Sequence, residues 1–220
     1  MNIHKQVTTT ALLLMLFATI GAALVGVIYD NTSDTIKYNE QQALLKQLNY
    51  IVPATKYDNE LLHDTLVLSA DVLLGTTEDS IAYRARQQGG NIAVVFSAIA
   101  PNGYNGSINL LVGVYSNGEL AGVRVVKHRE TPGLGDAIDA RRSDWILNFN
   151  GKSLTQPDSS HWKVKRDGGE FDQFTGATIT PRAVVKAAHS ALLYFEANKT
   201  TLFKIKKDKK QKPESDKTET

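Results

Sequence analysis

Hydroxyl-bearing residues flank a small-residue pair in Thr175-Gly176-Ala177-Thr178, and Ile179, Thr180 and Pro181 follow at once. Thr180 suits the N-cap of a helix, and Pro181 suits a first helical position, where a missing N–H would have had no partner. Behind them Val184, Val185, Ala188, Leu192 and Phe195 recur at helical spacing, which predicts one buried face. A helix start presents free N–H groups and partial positive charge, so a turn of this kind favours an anion, phosphate in particular. A threonine hydroxyl is a weak nucleophile unless a base or a metal activates it. The turn contains no histidine or lysine, and His161 and His189 are distant along the chain, so modification of a threonine here calls for a separate enzyme. By residue type alone this is an anion-friendly capped turn.

A second glycine-bearing stretch, Glu130-Thr131-Pro132-Gly133-Leu134-Gly135, lies upstream. Its Gly133-x-Gly135 lacks the third glycine of a dinucleotide fingerprint, because Ile138 stands there, and the sequence has no P-loop. The chain has no cysteine. That excludes disulfides, thiolate metal sites, cysteine-held iron–sulfur clusters and cysteine nucleophiles. His128 has no spaced partner that would make a metal motif, and no metal site is expected.

Asp172-Gln173-Phe174-Thr175-Gly176-Ala177-Thr178 resembles the flavinylation signature Asp-x-x-Ser/Thr-Gly-Ala-Thr. In families that carry it, a separate flavin transferase esterifies the last threonine to the phosphate of FMN. The run Glu130 to Gly135 looks like a second motif of the same FMN-binding domain. With a single apolar anchor ahead of both, the chain resembles the G subunit of the Rnf/Rsx electron-transport complex. More distantly it is similar to the C subunit of the sodium-translocating NADH:quinone reductase, which stands as an alternative. A non-redox anchor or assembly module is a further one. The resemblance runs from the N-terminus to about Glu196.

The resemblance implies covalent FMN on Thr178, with Asp172, Thr175, Gly176, Ala177 and Thr180 around it. It also implies that Thr131, Gly133, Leu134 and Gly135 form a loop near the isoalloxazine, the glycines giving backbone access and Leu134 an apolar contact. Asp172 is open to two readings, turn stabilisation or help in positioning a metal during transfer. Glu130 either orients the loop or is solvated, and Arg182 either meets the flavin phosphate or faces solvent. Of the aromatics that could stack on a flavin, Tyr104, Trp145 and Phe174, the last ranks first because it sits inside the motif. The implied role is a redox subunit, not catalytic alone, in a translocase that couples electron flow, typically between reduced ferredoxin and NAD, to ion movement. Its implied partners are the other membrane subunits, the transferase and inner-membrane lipid.

These motifs need an anchor and a scaffold. No charge occurs between Lys5 and Asp30, and Thr10 to Tyr29 supplies roughly 20 residues, about 30 Å as a helix, which matches a bilayer's hydrocarbon core. Ten of those residues are Leu, Ile, Val or Phe. Together they contribute on the order of −3 to −6 kcal/mol to insertion. A cleaved signal peptide would have a shorter apolar run ending in a small-x-small site. Gly21 to Ala23 offers such a site, but Leu24 to Tyr29 continue the run, which favours an uncleaved anchor. Lys5 ahead of the span predicts a cytoplasmic N-terminus and an exported main domain on a single-pass protein. The resemblance implies that the membrane is the cell inner membrane and the domain periplasmic.

The expected organisation is a cytoplasmic start (1–9), a transmembrane helix (10–29), a stalk ending before Pro53 (30–54), an FMN-binding domain (55–202) and a disordered charged tail (203–220). The formal charge is +2, and the tail alone carries seven lysines against four acids. Basicity is therefore a tail property and gives no argument for nucleic acid. From Ala82 to His128 β-rich runs alternate with turn clusters at Pro101 to Gly106 and Ser116 to Glu119, the latter with the Asn-Gly signal of a hairpin. Asp136 to Asn148 reads as a helix with Ile138, Trp145 and Ile146 inward. An antiparallel meander with flanking helices gives an α+β fold.

Overall fold

The computed structural model describes residues 3–204, so the expected disordered tail lies, apart from its first two residues, outside the described residues. The chain divides into two units, residues 1–48 and 49–220. The first is built on α1 (Ile3–Ile51), one unbroken helix of 49 residues that joins the expected span and stalk and ends before Pro53. It is long and apolar enough to cross a membrane, and Leu12, Leu13, Phe17, Ile20 and Leu24 are all exposed on it. The hydroxyls of Thr9, Thr10 and Thr19 donate to the carbonyls of Lys5, Gln6 and Met15, at 2.8–2.9 Å. Threonines satisfied in this way cost little in an apolar medium.

The second unit is an α+β domain. Its sheet runs β1 (Thr65–Leu68), β2 (Ser80–Gln87), β3 (Gly90–Gly103), β4 (Gly106–Tyr115) and β5 (Leu120–Lys127), in chain order and antiparallel throughout. The hairpin at Asn117-Gly118 forms as expected, with Gly118 at φ 96°. The cluster at 101–106 turns less than its composition suggests: β3 continues through Gly103, and only Tyr104 and Asn105 make the turn. One face of the sheet offers Val94, Phe96, Ala98, Ile108, Leu110 and Val112 at the two-residue period of a strand. Against it lies α2 (Ile179–Leu202) with Val184, Val185, Ala188, Leu192 and Phe195, all buried as their spacing predicts.

The expected helix over 136–148 is instead two short 3₁₀ helices, Gly135–Ile138 and Asp144–Phe149. Side chains between them bind the backbone that a continuous helix would need. Asp139 accepts from the Arg141 N–H at 2.9 Å, and the Ser143 hydroxyl donates to the Ala137 carbonyl at 2.6 Å. Ile138, Trp145 and Ile146 are nonetheless inward. Phe149 stacks on Phe171 at 4.6 Å between centroids, and Trp162 tilts against both rings.

Candidate functional site

The two glycine-bearing stretches, about forty residues apart in sequence, meet in a cleft of about 270 Å³. Thr131, Leu134 and Gly135 line it from one side, and Gly176, Ala177, Thr178 and Ile179 from the other. Tyr104, from the turn between β3 and β4, lines it too, along with Glu130 and Thr180. Tyr104 and Leu134 are exposed, whereas Glu130 and Thr180 are buried.

Helix α2 begins one residue after Thr178, which is its N-cap, and not after Thr180 as the sequence suggests. The Thr178 side chain makes no capping bond, so its hydroxyl stands half-buried at the cleft without a local partner. The first N–H groups of the helix have no carbonyl one turn earlier, so the dipole's positive end lies beside that hydroxyl. Thr180 is taken elsewhere. Its hydroxyl donates to Glu130, which also accepts from the backbone N–H of Tyr104 at 3.3 Å and of Asn105 at 3.1 Å. Asn105 in turn donates to the Thr131 hydroxyl at 3.1 Å. Glu130 thus orients the loop, and it joins three elements that line the cleft.

The glycines have separate reasons. A Cβ on Gly135 would stand 2.8 Å from the Thr180 hydroxyl and 3.0 Å from the Glu130 carboxylate, so the tie between them leaves no room. Gly176, at φ 80°, holds a left-handed turn that a side chain would strain, and Leu134 lies over it at ordinary contact distance. Gly133 also has positive φ, 77°, but it is outside the cleft lining.

Four residues expected around the flavin lie away from the cleft lining. Thr175 is exposed and does not line it. Asp172 pairs with Lys165 at 2.6 Å, and its carbonyl accepts the Trp145 indole N–H at 2.8 Å. That bond draws Trp145 to the motif, where Phe174 packs edge-on against it at 5.2 Å. Phe174 therefore joins the core rim, and the aromatic at the cleft is Tyr104. Arg182 is bidentate to Asp167, both bonds 2.6 Å, and so does not face a phosphate site. This pairing holds the Asp167 carboxyl below its ordinary range. No cluster of three or more metal-ligating side chains occurs among the described residues.

The Glu130–Thr180 tie spans fifty residues and involves no motif spacing, so local sequence carried no signal for it. The fold alone shows it, with Gly103 and Gly135 both abutting the Glu130 carboxylate.

Residues 103–193 match the family model described as FMN-binding domain, and residues 1–51 match the RnfG N-terminal region. The first match includes every residue lining the cleft. The chain is 48% identical to the G subunit of the ion-translocating oxidoreductase complex of Pseudoalteromonas atlantica, over 90% of this chain and 93% of that protein. The G subunit of the Shewanella baltica complex is 50% identical over 88% and 91% of the two chains. That of Pseudomonas aeruginosa is 48% identical over 90% and 93%.

Proposed function

Because the chain belongs to the family of G subunits of ion-translocating oxidoreductase complexes, we propose that it relays electrons in such a complex through FMN esterified to Thr178. The observation that carries the site is the Thr178 hydroxyl, free of a capping bond at the start of α2 and lining the cleft that the Thr131–Gly135 loop also lines. A phosphate joined there meets the helix's unpaired N–H groups and its positive end, which offset the charge of the diester. Leu134, Ala177 and Tyr104 supply apolar and aromatic surface for a flat ring. Bound FMN would supply the electron transfer, which no side chain here performs, and the protein's part is placement and electrostatics.

At about 270 Å³ the cleft is at the low end of cofactor sites, so it encloses part of the flavin and leaves part open to a redox neighbour. Esterification keeps such a loosely enclosed group from diffusing away. In this reading residues 10–29 of α1 cross the inner membrane, residues 30–54 form the stalk, and the domain over 55–202 stands on the periplasmic side. A flavin transferase installs the FMN, and the remaining membrane subunits of the complex supply and remove the electrons. Asp172 and Thr175, outside the cleft, are part of what the transferase recognises, while Gly176 and Ala177 let it approach the hydroxyl closely.

In-gel fluorescence after denaturation tests the attachment. A band from wild-type protein co-expressed with a flavin transferase should fluoresce, Thr178→Ala should be dark, and Thr175→Ala, which weakens recognition but keeps the acceptor hydroxyl, should retain at least some signal. Fluorescence persisting in Thr178→Ala assigns the ester to another residue.

A further inference from the structure

The cleft contains a charge that covalent attachment does not use. Glu130 is 4% exposed and lines the cleft, and its three donors, two backbone N–H groups and the Thr180 hydroxyl, are all neutral. Among the described residues its carboxylate forms no ion pair, and the His128 ring meets Glu130 only by accepting its backbone N–H at 3.2 Å. Two other buried acids of the domain are treated differently: Asp139 pairs with Arg141 at 2.5 Å and Asp136 with Arg142 at 3.5 Å. The two backbone N–H groups can only donate, so both carboxylate oxygens act as acceptors, the role of the anionic form. Neutral donors solvate that charge without cancelling its field, and away from bulk water the field is screened less. The three bonds also fix its position, because they tie it to the β3–β4 turn and to the first turn of α2.

We propose that Glu130 tunes the redox potential of the flavin in this cleft, holding it below the value a neutral residue at position 130 would give. The proposal rests on the FMN reading above. Reduction adds electrons to the isoalloxazine, and a fixed anion in the same cleft opposes that gain of charge. The effect favours the oxidised flavin and makes the reduced one a stronger donor to the next carrier. Gly103 and Gly135 belong to the same device, since a Cβ at either would stand within about 3 Å of the carboxylate and displace it.

The test uses the full-length chain in detergent, loaded by a flavin transferase, with FMN occupancy checked by intact mass. Flavin absorbance is followed in an equilibrium redox titration of the wild type, Glu130→Gln and Thr180→Val. Glu130→Gln keeps the shape and an acceptor oxygen but removes the charge, and its midpoint should move to higher potential. Thr180→Val keeps the charge but removes one donor, and its midpoint should move lower. A merely structural Glu130 would change stability and leave the potential of the loaded protein where it was. Equal midpoints for loaded wild type and loaded Glu130→Gln overturn the proposal. If Glu130→Gln does not take up FMN, Thr180→Val decides: an unmoved or raised midpoint overturns the proposal. A wild-type chain with no added mass sinks the flavin reading and this proposal with it, whereas a loaded chain with an unmoved potential sinks this proposal alone.

Discussion

Two carboxylates, one half-buried and one buried, serve opposite purposes in this domain. Asp64, just before β1, faces two cations: Arg84 and Arg86 of β2 each donate to it at 2.6 Å. Arg84 also donates to the Lys204 carbonyl at 2.6 Å and Arg86 to the Phe203 carbonyl at 3.5 Å, so the pair holds the chain just past α2 against the sheet edge. Every polar group of that cluster points at protein. Glu130 has donors but no cation, and it opens on a cleft. The first arrangement is closed and staples the fold. The second leaves a charge and a helix start available to something that is not protein. Where charge is fully matched the structure is being held, and where it is left unmatched beside a cavity a ligand is anticipated.

The largest effect should come from breaking the closed cluster. Asp64→Ala leaves Arg84 and Arg86 buried without a counter-charge, at a cost of about 3 kcal/mol or more. A chemical denaturation midpoint would measure it. Glu130→Gln, which leaves no cation stranded, should cost only about 1 kcal/mol in the same assay. Similar losses from the two would erase the distinction between them.

Gly135→Ala tests the open cluster by crowding. Its Cβ would press on both the Thr180 hydroxyl and the Glu130 carboxylate. Overpacking of this kind costs about 1–3 kcal/mol. It should also lower the fraction of chains that take up flavin, read by intact mass. Gly133→Ala, which has open space around it but a φ of 77°, should cost some stability and leave flavin uptake closer to wild type.

The smallest effect is a pH dependence that neither cluster supplies. Burial against Trp162, with ring centroids 5.3 Å apart, lowers the His189 pKa below its ordinary 6.5. A group whose folded pKa is depressed binds fewer protons in the folded state, so its stabilising contribution is complete above about 6.5 and declines as pH falls below it. The thermal midpoint should therefore drop slightly between pH 7.5 and pH 5.5, and His189→Phe should shrink that drop. Asp139, held low chiefly by the Arg141 side chain, follows at more acid pH: its contribution is lost as pH falls below about 3.8.

The sequence made much of this legible wherever a feature was local and periodic. The Asn117-Gly118 hairpin, the buried stripe of α2 and the apolar run of α1 each carry a signal within a few turns of chain. The β1 strand did not, since it is four residues long and is defined by pairing with β2. The helix expected over 136–148 failed because Asp139 and Ser143 bind nearby backbone groups, a competition that hydrophobic spacing does not register. At the site, residue types marked Thr178 and the glycines, but the start of α2 was misplaced by two residues. Thr180 is held by Glu130 from fifty residues away, and only the fold reveals that. Phe174 and Tyr104 exchanged roles for the same reason, because the indole N–H of Trp145 finds its acceptor within the motif.

The most direct measurement is the intact mass of the full chain, produced with and without a flavin transferase. With the transferase, the wild type should gain the mass of one FMN less one water, and Thr178→Ala should gain nothing. A wild-type chain that stays at the mass of its unmodified residues, or a Thr178→Ala chain that gains the same increment, contradicts the account.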